Sequence, residues 1–284
     1  MKSVCAALLL TPLVLAQPAG AQPFQTRAPV AYMVDVTTGK VLFAQNADRR
    51  IAPASMTKMM TAFVVFDLVS TGKLSLDQKV TVRADTWKRW HGAKGGSTMF
   101  LTPGETVSIA DLLTGLLTVS GNDAAYVLAE GVSGSSSAFV DLMNAKAAEI
   151  GLEDSHFASP NGWPDGNATY STAHDLARLA ILTIQRYPEL YHRFYGQKSL
   201  AWGRRSNGKF IAQDSKNPIL GRVAGADGLK TGFTDAAGYC FTGSAVQDGH
   251  RLVMVVAGLP SQTARIAESV RFMDWGFRAE PPVP

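Results

Sequence analysis

Ser55-Met56-Thr57-Lys58-Met59-Met60-Thr61-Ala62-Phe63-Val64-Val65-Phe66-Asp67-Leu68-Val69 carries apolar side chains at helical spacing and stops short of Gly72, so it reads as a helix. Before it, residues 31–44 alternate as two strands around a Thr37-Thr38-Gly39-Lys40 turn. After it, helical patterns return at residues 109–119, 123–131, 137–150 and 172–185. Three strands follow at 225–231, 238–245 and 251–259, and 262–277 reads as a closing helix. Strands at both ends with helices between predict an α/β fold of the α+β type. Its mostly antiparallel sheet is flanked by helices and carries a helical insertion. Residues 80–104 are polar and Gly-rich, and they read as one long functional loop. Trp87 and Trp90 within it are placed as core anchors, with stacking on a sugar as the alternative.

A chain of 284 residues suits one large domain. With 46% hydrophobic and 18% charged residues it is neither disordered nor a low-complexity or collagen-like chain. The net charge is +4, but the Lys and Arg residues are scattered, and no dense basic run marks a nucleic-acid partner. Residues 1–21 have the pattern of a secretory signal: Lys2, an apolar stretch from Val4 to Ala16, and Ala19-Gly20-Ala21 for cleavage. Pro12 and Gln17 leave that stretch too short to span a membrane. Its removal takes Cys5 and leaves Cys240 alone, so no internal disulfide is expected. Cys240 lies in the strand-like Tyr239-Cys240-Phe241 and reads as a buried, inert thiol. An exported protein of the periplasm or cell envelope is the expectation, and the sequence does not support membrane association.

Three short motifs stand in order: Ser55-Met56-Thr57-Lys58, Ser120-Gly121-Asn122 and Lys230-Thr231-Gly232, with 65 and then 110 residues between their first positions. Each alone is weak; the ordered set is specific. Residues three apart share a helix face, so Lys58 stands over Ser55. A serine hydroxyl needs a base within hydrogen-bond reach. Lysine can be that base when desolvation or a neighbouring cation such as Lys230 disfavours its charged form. Ser120 and Asn122 break an apolar helix, as a polar loop entering a cleft would. Asn122 is suited to hold a substrate amide and Ser120 to relay a proton to a leaving amine. Lys230, Thr231 and Gly232 lie on a predicted strand whose edge could pair with an extended peptide, and Gly232 would allow close approach.

At these residues the chain resembles the low-molecular-weight penicillin-binding proteins, the serine-type D-alanyl-D-alanine carboxypeptidases. The motif set is of the kind shared by penicillin-binding proteins and class A β-lactamases. The likeness runs from Ala31 to Phe277. Besides Pro53-Ala54-Ser55-Met56-Thr57-Lys58, it takes in Ser97-Thr98-Met99-Phe100-Leu101, Ser120-Gly121-Asn122-Asp123-Ala124, Tyr170-Ser171-Thr172-Ala173-His174-Asp175-Leu176 and Asp227-Gly228-Leu229-Lys230-Thr231-Gly232. It implies Ser55 as the acylated nucleophile, Lys58 as proton acceptor and Ser120 as proton relay. It also implies Asn122 and Lys230 as substrate-positioning groups. The backbone N–H groups of Ser55 and Phe233 would form the oxyanion hole, and Arg265 would help hold a terminal carboxylate. Thr231 and Gly232 join the substrate-binding strand. The implied partner is the peptidoglycan stem peptide, with β-lactams as inhibitors and no cofactor or metal. The implied organisation is a catalytic domain over residues 22–284, with no β-rich second domain or membrane anchor visible. One departure falls at Asn161-Gly162-Trp163, where the family carries His-Gly-Leu; it is expected to affect the helical region rather than the nucleophile.

The leading expectation is therefore removal of the terminal D-Ala from a pentapeptide stem, with endopeptidase action on D-amino-acid crosslinks as a close variant. Efficient β-lactam turnover is not expected, because no Glu-x-x-Leu-Asn lies between the second and third motifs. A catalytically idle wall-binding protein would have lost Ser55 or Lys58, and both are present. His91, His156, His174, His192 and His250 show no metalloprotease spacing, and no phosphate-binding glycine motif is found.

Overall fold

The computed structural model describes residues 24–204 and 208–280, so the predicted signal segment lies outside the described residues. β1 (Val30–Asp35) and β2 (Val41–Gln45) form the first hairpin. A single 3₁₀ turn, Ala54–Thr57, then runs into α1 (Lys58–Ser70). The chain continues through β3 (Lys79–Thr81), α2 (Ala84–Trp90), a 3₁₀ turn at Ala93–Gly95, β4 (Thr106–Ser108) and α3 (Ile109–Thr118). Next come α4 (Asn122–Ser133), α5 (Ser136–Glu149), α6 (Ala173–Arg186) and α7 (Pro188–Tyr195). The hairpin of β5 (Ser199–Arg204) and β6 (Phe210–Asp214) leads to β7 (Ala226–Thr234), β8 (Gly238–Gln247), β9 (His250–Leu259) and α8 (Gln262–Ala279).

The main sheet has the order β2-β1-β9-β8-β7, and every neighbouring pair is antiparallel, so the first and last parts of the chain share one sheet. β1 is central enough to be buried along its whole length, which explains its nearly unbroken apolar sequence. Its side chains still divide by the two-residue period. Val30, Tyr32 and Val34 enter the core under the helical region, while Ala31 and Met33 pack on the α8 side with Met254, Val256 and Phe272. α1 lies inside the helical layer, with every residue from Lys58 to Phe66 buried. A helix enclosed on all sides is apolar all round. That enclosure is why the lysine at its start is out of water.

The antiparallel sheet, the helical insertion and the closing helix agree with the sequence expectation. Residues 80–104 do not form one long loop. They include the end of β3, the seven-residue α2 and a 3₁₀ turn. Within α2, Trp90 is buried against Tyr126, with ring centroids 4.8 Å apart, so the core-anchor reading holds for it. α7 and the β5–β6 hairpin add to the expected elements; their short amphipathic runs fall in a stretch crowded with polar residues, which masks their period.

α8 covers the second face of the sheet through Phe272, which stacks on Phe24 at 4.7 Å and meets Phe43 edge-on at 5.3 Å. Truncation of a large buried ring removes its transfer energy and leaves a cavity. Phe272→Ala is therefore expected to lower the unfolding free energy by about 3–5 kcal/mol, measured by urea denaturation.

Candidate active site

Ser55 sits in the 3₁₀ turn that precedes α1, half-buried, between the buried side chains of Ala54 and Met56. Ala54 holds a left-handed backbone, with φ of 48°, a conformation that costs energy in a residue bearing a Cβ. The surrounding contacts over-determine it. Gly232 on β7 lies so close that a Cβ there would stand 2.7 Å from the Pro53 carbonyl oxygen. On another side, a Cβ at Gly162 would stand 2.0 Å from the Ala54 carbonyl oxygen. Two glycines thus let a strand and a loop press on the turn that presents Ser55. The bare face of Gly232 accordingly meets this turn, a packing role beyond the substrate approach expected from sequence.

Lys58 is fully buried and its Nζ lies 2.9 Å from Ser55 Oγ. It also donates to Asn122 Oδ1 at 2.8 Å and to the Asn161 carbonyl at 3.0 Å. Burial, then the charge of Lys216, hold its pKa well below the ordinary lysine value, with Asp123 opposing them. Lys230 is buried as well, and its Nζ donates to the Thr231 carbonyl at 3.1 Å. Its pKa is lowered by burial first and then by the charges of Lys58, Lys216 and Arg265.

Ser120 occupies the break between α3 and α4 with φ of 65°, so Ser120, and not Gly121, takes the left-handed conformation there. The backbone N–H of Asn122 donates to the Ser97 carbonyl at 2.7 Å, and its Nδ2 donates to the Gly95 carbonyl at 2.9 Å. Both ends of the Asn122 amide are therefore engaged inside the protein. The neighbouring Asp123 carboxylate accepts N–H bonds from Met99, Leu101 and Ala124, and so ties the 97–101 segment to α4. Burial raises the Asp123 pKa against those bonds.

One cleft of about 520 Å³ collects Ser55, Ser120, Asn122, Thr231, Gly232, Phe233 and Arg265. Every sequence-predicted residue but the two lysines lines it, and Lys58 and Lys230 lie directly beneath. Arg265 is no solvated helix charge. It is buried, with its guanidinium 5.4 Å from the Tyr239 ring centroid, an Nη1 bond to the Gly232 carbonyl at 3.4 Å, and an Nε that has no partner among the described residues. A buried cation with an unpaired donor at the cleft suits a carboxylate.

Three participants escape the sequence reading. Lys216 lines the cleft and hydrogen-bonds Ser97 Oγ, yet a single lysine after a hairpin carries no pattern. Asn161 was expected to matter only to the helical region, and it instead supplies the carbonyl that binds Lys58. Trp163 forms a wall of the same cleft, 41% exposed and buttressed edge-on by Trp90 at 5.3 Å. The unusual Asn161-Gly162-Trp163 is itself the available signal, and what it marks is the surroundings of Ser55 and Lys58.

Elsewhere, Cys240 is buried and its thiol is pushed up to about 11 by desolvation, in keeping with an inert role. Asp35, His250 and Glu280 are the one group of potential metal donors found close together among the described residues. Their atoms are already committed, with His250 Nδ1 at 2.6 Å from Asp35 and Lys40 paired to Glu280 at 2.7 Å.

A family model described as D-alanyl-D-alanine carboxypeptidase matches residues 16–261 of this chain. Among curated proteins, D-alanyl-D-alanine carboxypeptidase DacD of Escherichia coli (strain K12) is 39% identical over 261 residues, covering 91% of this chain and 65% of that protein. The chain thus spans less than two thirds of the length of the curated relatives it matches first. Among solved structures, penicillin binding protein 5 from Haemophilus influenzae superposes with a TM-score of 0.84 at 37% identity, over 91% of this chain and 73% of that one. Penicillin-Binding Protein D2 from Listeria monocytogenes, solved in an ampicillin-bound form, gives 0.77 at 33% identity over 92% and 100%.

The packing of Gly162 on the Ser55 turn predicts a specific failure. Gly162 has φ of 69° and no room for a Cβ, so Gly162→Ala must displace the turn. Acylation by a radiolabelled penicillin is expected to slow by at least about tenfold, since small misplacements of reacting groups are costly. Circular dichroism should still report folded protein.

Proposed function

The chain belongs to the D-alanyl-D-alanine carboxypeptidase family, and on that footing we propose that it is a serine DD-carboxypeptidase acting on peptidoglycan stem peptides. Ser55 Oγ attacks the carbonyl between the last two D-Ala residues, and its proton passes to Lys58. The C–N bond breaks, Ser120 relays a proton to the amine, and D-Ala leaves. Water then cleaves the Ser55 ester and regenerates the enzyme. The backbone N–H groups of Ser55 and Phe233 receive the oxyanion, a contribution of about 3–4 kcal/mol per donor in other enzymes. Lys230, Thr231 and Arg265 hold the terminal carboxylate. β-Lactams acylate the same serine. The catalytic unit is taken as residues 22–284, delivered outside the cytoplasmic membrane by the segment 1–21. None of the described helices is long and apolar enough to cross a membrane.

The observation that carries this reading is the set of partners around Lys58. Asn122 Oδ1 and the Asn161 carbonyl can only accept. A neutral amine therefore spends its two protons on them and directs its lone pair at the Ser55 hydroxyl, 2.9 Å away. Burial favours that neutral form. The amide of Asn122 accordingly orients the base through its Oδ1, while Nδ2, with one of its two protons on the Gly95 carbonyl, keeps a second donor for the substrate amide.

Intact-protein mass spectrometry after mixing with penicillin tests the proposal. Wild type is expected to gain one antibiotic mass, and Ser55→Ala to gain none. Unmodified wild type with intact antibiotic would remove the proposal, and hydrolysed antibiotic without an adduct would replace it with a β-lactamase.

The pH dependence follows from the charges. Activity requires uncharged Lys58, so it rises through the Lys58 pKa as pH increases. The positive charge of Lys216 holds that pKa down, and its removal lets the pKa rise. Lys216→Ala is thus expected to move the acidic limb of the acylation-rate profile to higher pH, whatever it does to the plateau.

A further inference from the structure

Beyond Phe233 the cleft does not close. Phe233, Asp235 and Tyr239 line both the cleft that holds Ser55 and a second groove of about 760 Å³. Phe233 is 45% exposed and stacks on Tyr239 with ring centroids 4.2 Å apart, so this aromatic pair marks the junction. The groove lining includes Ala236, Ala237 and Gly238, whose small or absent side chains leave the backbone open to a ligand. Arg49 and Arg50 also line it.

The two arginines differ. Arg50 is committed, with Nε and Nη2 both on Asp154 at 3.1 and 2.8 Å and its guanidinium 4.5 Å from the Tyr170 ring centroid. Arg49 is exposed and its guanidinium has no ion-pair partner among the described residues. The adjacent Asp48 is 3.3 Å from His174 instead. Asp235, also without an ion pair there, stands at the junction, so a negatively charged ligand group is disfavoured at the near end and favoured only beyond it.

β7 is an edge strand, and a peptide added along it advances about 3.3 Å per residue. The two steps along the strand from Phe233, where the scissile carbonyl would sit, to Asp235 therefore carry an extended chain about 7 Å from the scissile bond, to the mouth of the groove. We infer that the groove bounded by Arg49 is a second subsite, which binds a carboxylate on the acyl side of the substrate, two or more residues before the cleaved bond. This deepens the proposed function by naming the chemistry of the substrate, and it rests on that reading for the direction of the peptide. An arginine fork matches a carboxylate in two parallel bonds, and its charge persists at every physiological pH.

The test uses acyl-D-Ala-D-Ala peptides in which one side-chain carboxylate, or its carboxamide isostere, is placed one to four residues before the cleaved bond. Cleavage is measured with wild type, and dissociation constants are measured on a Ser55→Ala background. At a distal position, carboxylate is expected to exceed carboxamide by about fivefold in both readouts, with the ratio shrinking at high salt. Arg49→Ala should bring the ratio to one, Arg49→Lys should retain part of it, and Arg49→Glu should invert it. A ratio near one at every position in wild type, or a preference that Arg49→Ala leaves intact, overturns the subsite. If the binding ratio depends on Arg49 but no peptide is cleaved, the subsite stands and the carboxypeptidase reading falls. Cleavage without a ratio does the reverse.

Discussion

Everything at the centre of this molecule is arranged around an amine kept out of water. A lysine at the start of an enclosed helix is costly in its charged form, and desolvation shifts the balance toward the neutral one. The enclosure of α1 by α3, α4, α5 and α6 thus sets the protonation of Lys58 and not only the stability. Three separate parts of the chain meet Lys58: its own turn through Ser55, the α4 terminus through Asn122, and the loop before α6 through Asn161. Each must fold before the Lys58 amine is oriented. The site is therefore a readout of the whole helical layer.

The sheet contributes in a different way. β7 joins the late part of the sequence to the first, because the strand order places β1 next to β9. It brings Lys230 beneath the cleft and sets Gly232 against the Ser55 turn. The cations Lys58, Lys216, Lys230 and Arg265 are thereby collected from four segments far apart in sequence. Their mutual repulsion disfavours the protonated state of the two buried amines.

Much of this is legible in the amino-acid sequence, for identifiable reasons. Helices with a full 3.6-residue pattern, such as α3 and α6, announce themselves, as do long buried strands such as β8 and β9. The Ser55, Ser120 and Lys230 motifs are short but ordered, and order survives where geometry is invisible. What stays hidden depends on contacts between segments. Lys216 has no local signature, because its importance comes from Ser97, Lys58 and Arg265 lying near it. The Asn161 carbonyl is a backbone atom, so the departure at residues 161–163 marks the segment but not the bond to Lys58. α2 merges into a loop at the sequence level because seven residues hold too few turns for a period to show.

The two borders of the main sheet are unlike, and this has a consequence for handling the protein. A free strand edge can recruit any extended chain, including a second copy of the same protein. At β7 the edge lies at the bottom of a cleft walled by Trp163 and the 96–97 segment, so only a single slender chain can reach it. β2 is the opposite border of the sheet, paired with β1, and Val41 at its start is exposed. That border is only five residues long, and Lys40 at its start is drawn into an ion pair with Glu280. Self-association of partly opened protein, when it occurs, is therefore directed to the β2 border, far across the sheet from the catalytic cleft.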